Sequence, residues 1–477
     1  MKMIINGQQV DSVSGETFDV INPANGSVIE SVPKGTKEDI IKAVDAAVDA
    51  QKKWADVPIH QRAELLRAFL DIVDENKESL AQTLSSENGK PINEARAEIG
   101  NIRIGFSGFI EHAKHFYDRI IPPGTEAGQD KNVQLVVRQP VGVVACIIPF
   151  NFPCDLFDQK VAPALMMGNA AIVLPSSDNP LTLMRLTGML MDAGVPAGVV
   201  QCLTAPGNVK AEIAKDKRIG LITLTGSTEV GIETAKVAAE NLIPCALELG
   251  GNDAFIVLED ADLELAANEL IWGRMYNTGQ VCCASKRFIV HNSIKDEFAK
   301  LIVDKIQAQK FGDPAAEDTQ IACLISEKAA IKTEEQVNKT VEQGGKVLIG
   351  GTRNGVFYEP TVITDVPSTA EVAIDMEIFA PVVPLIGFDS DEEAIEIANS
   401  SIFGLSSCVF SQDFKRAYNI AAKMEAGGAV INGASFFRAF EMPFGGWKFS
   451  GIGTEGVMST FEEMTQIKNI VLKNIIA

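Results

Sequence analysis

The sequence predicts an α/β protein built on two successive parallel-sheet units. Three observations carry this reading. From Val141 onward, short runs of wholly apolar residues alternate with stretches of helical periodicity. A second alternation of the same kind begins near Gly251. The tail, QIKNIVLKNI, alternates polar and apolar residues as a half-buried strand does. Wholly apolar strands belong to sheets covered by helices on both faces.

The elements follow in order. Short strands are expected at Met3–Ile5 and Thr17–Ile21, broken at Asn22-Pro23. A helix is expected over Lys37–Ala55, because Thr36 and Asp39 have capping-box spacing and Ile40, Val44, Ala47 and Val48 recur at the helical period. Residues 61–75 repeat the pattern with Leu65, Leu66, Phe69, Leu70 and Ile72, and further helix is expected over 77–86 and 92–116. Then the rhythm changes. VGVVACII, AAIVL (170–174), VVQCL (199–203) and IGLITL (219–224) read as strands, separated by helices at 160–167, Leu181–Asp192 and 209–215 and followed by one at 229–240. Right-handed crossovers make this a Rossmann-like layer. The second unit reads AFIVL (254–258), RFIVH (287–291), VVPLIGF (382–388), SSCVF (406–410) and GAVIN (428–432), with helices including 294–309, 327–344 and Asp391–Asn399. The terminal strand could pair with another subunit's sheet edge.

A chain of 477 residues suits two to four domains at about 100–200 residues each. With 42 basic and 63 acidic residues the net charge is −21, a field that repels phosphate backbones and argues against nucleic acid. The four histidines form no HExxH and pair with no CxxC, so no metal site is expected. Eight cysteines in so long a chain make no disulfide scaffold. The opening, MKMIINGQQVDSVSGE, lacks the apolar run of a signal peptide, and no apolar stretch is long enough for a membrane span. A reducing cytoplasm is therefore the expected setting.

Four stretches could carry chemistry. Leu224-Thr225-Gly226-Ser227-Thr228-Glu229-Val230-Gly231 joins a strand end to a helix start, where glycines admit a ligand and free N–H groups meet a phosphate. The same residues would also make an ordinary strand–turn–helix cap. In Asn277-Thr278-Gly279-Gln280-Val281-Cys282-Cys283, small and polar neighbours suit a reactive thiol, although a free cysteine is more often a buried structural one. The residues alone do not rank Cys282 above Cys283. Leu247-Glu248-Leu249-Gly250-Gly251-Asn252 sets one carboxylate among apolar residues, which raises its pKa toward that of a general base. A capping or salt-bridged Glu reads the same way. Pro149-Phe150-Asn151-Phe152-Pro153 would hold an amide at the carboxyl edge of the sheet, as an oxyanion donor or a simple turn Asn.

In order and spacing, PFNFP, LTGSTEVG, LELGG and GQVC resemble the aldehyde dehydrogenase superfamily, as do MEIFAPV (376–382) and MPFGGWKFSG (442–451). The resemblance covers essentially the whole chain. It implies an aldehyde dehydrogenase fold: a Rossmann-like cofactor domain over 1–121 and 140–250, an α/β catalytic domain over 251–440, and a small β oligomerisation element from 122–139 and 460–477. It implies a homodimer or homotetramer that oxidises a small aldehyde to its acid with NAD or NADP. Cys282 would be the nucleophile, forming a thiohemiacetal and then a thioester, with the Asn151 amide and the Cys282 N–H as oxyanion hole. Glu248 would activate water, and Lys160 would lie near the active site. Ser227 would meet the pyrophosphate, and Glu377 and Phe379 the nicotinamide ribose and ring. Phe150, Ser176, Ser177, Thr225, Gly226, Val230, Leu249 and Gly250 complete the implied cofactor site. Phe152, Phe444, Arg103 and Arg438 are the implied substrate residues, the two arginines for a polar or anionic tail or else as surface arginines.

Glu248 favours hydrolysis to an acid over transfer to coenzyme A, since relatives making that transfer typically lack it. Together with Cys282 and Asn151 it also argues against a silent binding protein on the same fold. The chain departs from the family pattern at Leu174-Pro175-Ser176-Ser177-Asp178. The Lys that commonly touches the adenosine ribose is absent, and Ser177 stands where a Glu would repel a 2′-phosphate, so both NAD and NADP stay open. Ala380 replaces the usual Gly, Leu224 the usual Phe, and the Gly-rich stretch is reduced to Ala205-Pro206-Gly207-Asn208. This variant and the ending Gly453-Thr454-Glu455-Gly456-Val457 are similar to the branch that includes archaeal lactaldehyde dehydrogenases. Succinate-semialdehyde and non-phosphorylating glyceraldehyde-3-phosphate dehydrogenases are similar too, so lactaldehyde, glyceraldehyde or its phosphate, and succinate semialdehyde are the expected substrates.

Overall fold

A computed structural model describes residues 1–475. The last two residues of the expected 460–477 element lie outside the described residues.

The larger sheet has eight strands. Edge to edge they are Gln8–Val10, Met3–Ile5, Val200–Cys202, Ala170–Leu174, Val143–Ile147, Ile219–Thr225, Cys245–Glu248 and Gly451–Ile452. The five central strands run parallel. Antiparallel strands close both edges. Wholly apolar strands make sense here, because alternate side chains feed different cores: Val144 and Cys146 pack into one, Val143 and Ala145 into the other. The chain leaves Val143–Ile147 to one side and returns to its other side at Ile219–Thr225. That reversal opens a crevice at the carboxyl ends of these two strands, where open α/β sheets bind ligands.

The second sheet orders Lys346–Ile349, Thr361–Val366, Val382–Phe388, Ser285–His291, Asp253–Val257, Ser407–Phe410 and Val430–Ile431. All neighbours are parallel except the first pair. The chain passes from Glu248, at the carboxyl end of a strand of the first sheet, to Asp253, at the amino end of a strand of the second, in five residues. This short link brings the carboxyl edge of one sheet against the amino edge of the other. A third sheet pairs Thr465–Leu472 with Val133–Pro140 along all eight residues, and Val133–Pro140 with Arg119–Ile121. The tail's first partner is thus its own chain. Among the described residues no helix is long and apolar enough to cross a membrane.

Two differences from the sequence reading matter for the site. The helix expected at 160–167 spans Pro153–Met166. Pro153 lies in its first turn, where a missing N–H costs nothing. One helix therefore carries Asp155, Gln159 and Lys160 just after Asn151. The strand Cys245–Glu248 was not expected, since Pro244 and the double glycine leave only four residues for it. It pairs parallel with Ile219–Thr225, placing Glu248 opposite Thr225.

The helix Lys37–Ala55 starts on the expected capping box. Buried Asp39 accepts from the Thr36 amide at 2.8 Å, from Ser12 Oγ at 2.8 Å and from the Val13 amide at 3.2 Å. The Asp39→Ala protein is expected to lose roughly 1–3 kcal/mol, because buried donors lose their acceptor. Chemical denaturation checks this: an unchanged midpoint for the first transition would refute it.

Candidate active site

Cys282 sits between the 3-10 turn Tyr276–Gly279 and the strand Ser285–His291. Three consecutive residues before it are left-handed: Asn277 (φ 48°), Thr278 (φ 56°) and Gly279 (φ 76°). That conformation strains a β-branched residue such as Thr278. Polar contacts hold it in place. The Asn277 amide N–H donates to Glu94 at 2.7 Å, and its Nδ2 to the Asn151 carbonyl at 2.9 Å. Thr278 Oγ1 accepts from the Ala322 amide at 3.0 Å, and Gln280 Oε1 from the Ile325 amide at 2.9 Å. At Gly279 any Cβ would overlap the Ala380 carbonyl. The Asn-Thr-Gly-Gln stretch thus forces one path on the backbone and points Cys282 at the sheet junction.

A hydrogen bond from the Cys283 thiol, against the upward pull of burial, holds the Cys282 thiol down at about 7, with the Lys286 and Arg438 charges assisting. The Cys283 thiol moves the opposite way, well above its ordinary range. Lys286 is buried at the start of its strand. Its ammonium bonds the Cys282 carbonyl and pairs with Glu377 Oε1 at 3.1 Å.

Asn151 follows the strand Val143–Ile147 on its carboxyl side. Its carbonyl accepts from Lys90 Nζ and from Asn277 Nδ2, both at 2.9 Å. Lys90 forms a fully buried pair with Glu98, which also caps the Cys154 amide at 2.8 Å. The Phe150 carbonyl takes Asn88 Nδ2 at 2.6 Å and Asn179 Nδ2 at 2.7 Å. With the backbone so clamped, the Asn151 carboxamide is left without a partner among the described residues, as is the Cys282 N–H. Both are donors available to an oxyanion.

Glu248 ends its strand 5% exposed, with Oε2 unpartnered among the described residues. Burial first, and the neighbouring Glu455 carboxylate second, push its carboxyl well above the usual range. Arg438 and Lys160 pull the other way. Lys160 donates to Glu455 Oε1 at 2.8 Å and Thr223 Oγ1 at 3.1 Å, and Arg438 donates to Glu455 Oε2 at 2.8 Å. Against burial, Lys160 and Arg438 hold the Glu455 carboxyl down at about 2. Phe152, Phe436 and Phe444 pack with Cys282 and Cys283 into an apolar wall, which Tyr276 extends by stacking on Phe152.

The crevice at the strand reversal suits a dinucleotide. Ser227 caps the helix Thr228–Ala239, and Thr225 Oγ1 is buried and unpartnered among the described residues. Gly226 donates to the Glu248 carbonyl at 3.0 Å. Val230 is exposed on the first turn, and Leu249 packs against Gly231. Gly250 lies against the Glu377 carboxylate, and the Phe379 ring lies edge-on to Phe150 with Lys286 nearby. Ser176 and Ser177 follow Ala170–Leu174 at the same carboxyl edge. These donors fit a nicotinamide dinucleotide.

Two sequence expectations need correction. Arg103 does not border a substrate entrance. It lies on the outer face of Ile92–Ala113, bound to Asp74 at 2.6 Å and Asp71 at 2.9 Å. The inward positions of that helix belong to Ile99, Ile102 and Phe106. Arg438 does reach the site, over the Phe444 ring at 4.3 Å, but Glu455 already meets its charge. Sequence reasoning missed Glu455 and Lys286. Lys286-Arg287 at the head of an apolar strand was a legible signal, since a charge there must find a buried partner. Glu455 lies 295 residues from Lys160, and nothing local marks the pair.

The chain matches the aldehyde dehydrogenase family over residues 10–470. It is 38% identical to a lactaldehyde dehydrogenase from Methanocaldococcus jannaschii, covering 98% of this chain and 100% of that protein. It is 35% identical to an NADP-dependent succinate-semialdehyde dehydrogenase from Escherichia coli, covering 98% and 96%. A solved NAD-dependent aldehyde dehydrogenase from Sinorhizobium meliloti superposes with a TM-score of 0.96 at 33% identity, covering 99% and 94%.

The lowered Cys282 thiol predicts that its alkylation by iodoacetamide rises with pH through about 7, because the thiolate forms above that value. Lys286→Met should move the midpoint upward, and Cys283 should stay unmodified. Mass spectrometry of labelled peptides checks both; a wild-type midpoint near that of free cysteine would refute the assignment.

Proposed function

The chain belongs to the aldehyde dehydrogenase family and is an NAD(P)-dependent aldehyde dehydrogenase, and we propose that it oxidises a small hydroxylated aldehyde to its carboxylic acid through a thioester on Cys282. The observation that carries this reading is the convergence at the sheet junction of a Cys282 thiol held low, a buried Glu248 carboxyl with an unpartnered oxygen, and Asn151 clamped by its backbone.

The Cys282 thiolate adds to the aldehyde carbon, forming the C–S bond. The Asn151 amide and the Cys282 N–H stabilise the oxyanion. A nicotinamide dinucleotide held along Ser227, Glu377 and Phe379 would supply the hydride acceptor that takes Cys282's adduct to a thioester. Lys286 and Glu377 orient the nicotinamide end of the site. Glu248 removes a proton from a water molecule, which attacks the thioester; the C–S bond breaks and the acid leaves. The Lys160–Glu455–Arg438 group acts on Glu248 through space, Glu455 raising its proton affinity and the two cations lowering it. Glu248 favours water as acceptor, against the coenzyme A alternative.

The substrate class rests on the helix Pro153–Met166. Phe152, Asp155 and Gln159 follow one another at helical spacing on the face that Phe152 turns to Cys282. Asp155 Oδ1 and Gln159 Oε1 are buried acceptors without partners among the described residues. Substrate hydroxyls are the donors they lack. Arg438, the cation over the Phe444 ring beside this wall, already pairs with Glu455 and is not free for an anionic tail. Lactaldehyde and glyceraldehyde fit this wall better than succinate semialdehyde. The apolar side chains exposed along Thr465–Leu472, among them Ile467 and Val471, support a subunit contact in a homodimer or homotetramer. The eight free cysteines support a reducing, cytoplasmic setting.

An aldehyde panel without coenzyme A tests the reading: no reduced dinucleotide from any aldehyde would defeat it. We expect kcat/KM for lactaldehyde or glyceraldehyde to exceed that for succinate semialdehyde by at least about tenfold, roughly the discrimination one unmet buried hydrogen bond supplies. Gln159→Arg should narrow that gap. Glu248→Gln should keep the first-turnover burst of reduced dinucleotide while steady-state turnover falls by about 10²-fold or more. A base with a raised pKa acts only once deprotonated, so wild-type thioester hydrolysis should climb with pH above the usual carboxylate range, and the variant's should not.

A further inference from the structure

A notch in the helix Ile92–Ala113 receives a side chain that the reaction leaves unused. The helix carries Gly105 and Gly108 in its interior, three residues apart and therefore on one face. Glycine inside a helix is less favourable than alanine, so two of them call for a packing reason. Phe440 supplies it. A Cβ at Gly108 would stand 2.7 Å from the Phe440 ring, and one at Gly105 would stand 2.9 Å from it, both too close for carbon. Phe109 meets the same ring edge-on, with 5.1 Å between centroids. One turn further, His112 Nε2 lies 2.8 Å from Glu441 Oε1. Phe440 and Glu441 thus follow the stripe that Gly105, Gly108, Phe109 and His112 present along the helix. The His112 contact is exposed and adds little, so the apolar seat of Phe440 carries the attachment.

The place of Phe440 in its loop gives the notch a consequence. The loop between Ser435 and Phe444 is fixed at both ends. Ser435 Oγ donates to the Cys283 carbonyl at 3.0 Å, and Phe444 exchanges two backbone hydrogen bonds with Glu455, each at 2.7 Å. Between those ends the backbone bonds only to near neighbours in sequence among the described residues. The Phe437 N–H donates to the Ala434 carbonyl and the Met442 N–H to the Ala439 carbonyl, both at 3.0 Å. Side chains must therefore hold the middle of the loop. Its inner ones form the wall over the thiol: Phe436 and Met442 pack with Cys282, Cys283 and Phe444. Phe436 also lies 5.2 Å from the Tyr276 ring and 6.2 Å from the Phe152 ring. Phe440 turns the other way and packs on the core beneath the helix.

We infer that Phe440 is a positioning residue: seated in the Gly105–Gly108 notch, it holds the wall of Phe436 and Met442 closed over Cys282 and so restricts the site to small aldehydes. The inference rests on the aldehyde-oxidising reading above and says where its size limit comes from. With a Cβ at Gly108 the ring cannot seat, and the loop lifts at its middle while both ends stay bonded. The opening lies at Phe436 and Met442. Bulky aldehydes then gain access, and small ones lose the surface that confines them beside the thiol.

Two variants test it from opposite sides. Gly108→Ala adds one methyl at a half-buried helix position, where alanine is the better helix former, so the fold is kept. Phe440→Ala empties the notch. In both, kcat/KM for lactaldehyde should fall about tenfold through KM, with kcat within about threefold, while kcat/KM for phenylacetaldehyde rises about tenfold. A second readout needs no turnover. Alkylation of Cys282 by N-phenylmaleimide should quicken about tenfold in both variants, and alkylation by the smaller iodoacetamide should change by less than about threefold. In the Phe440→Ala background, Gly108→Ala should add less than about twofold, since the ring it displaces is gone. Unchanged discrimination between small and bulky probes, equal shifts for both, or additive effects in the double variant would overturn the inference while the aldehyde reading stands. Wild-type protein that reduces no dinucleotide with any aldehyde, yet shows the expected maleimide pattern, would defeat the aldehyde reading and leave the seat of Phe440 in place.

Discussion

Lys160 and Glu455 meet at 2.8 Å where both side chains are almost wholly buried, and Arg438 closes on the same carboxylate. The pairing ties Pro153–Met166 to the segment after Gly451–Ile452, which closes one edge of the larger sheet. Charges this deep are tolerable only when paired with good geometry. Removing any member would leave another uncompensated beside Glu248. Burial gives Glu248 its high proton affinity, and this group modulates it, the Glu455 charge raising it while Arg438 and Lys160 restrain it. The same logic holds under Asn151, where the Lys90–Glu98 pair supports the backbone from below.

Around these fixed charges the site is assembled by backbone constraint. The left-handed run Asn277–Thr278–Gly279 carries strain that a free chain would release. Glu94 from one segment, and Ala322 and Ile325 from another, hold it through hydrogen bonds. Cys282 and Asn151 are therefore preorganised relative to each other, through the shared Asn277 side chain. The net charge of −21 is offset locally, since Lys160, Lys286 and Arg438 all lie in or beside the site. The overall field suits solubility, and the chemistry answers to near neighbours.

Much of the local structure was legible. The box at Thr36 and Asp39, the helices Leu181–Asp192 and Asp391–Asn399 and the strand Val382–Phe388 follow from short-range patterns, and their bounds agree with expectation. Boundaries slipped where tertiary contacts decide them. Pro153 reads as a breaker yet opens a helix, and Cys245–Glu248 is a strand only because Ile219–Thr225 lies alongside it. In the site, six ordered motifs pointed to Cys282, Glu248 and Asn151 as a group, and the structure brings them to one junction. Arg103 was misplaced because helix periodicity says that a residue faces outward without saying toward what; here it faces Asp71 and Asp74.

The sequence by itself determined the α/β class, the order of the motifs and the chemical types available: a thiol, an amide and a carboxylate in a chain with four histidines. These are properties of residue identity and spacing, which persist in any conformation. Only the tertiary structure decided which charges are met. It gave Glu455 to Lys160 and Arg438, and Glu377 to Lys286. The physical reason is that desolvation and Coulomb attraction act through space. Partners 295 residues apart become neighbours only when the sheets have closed.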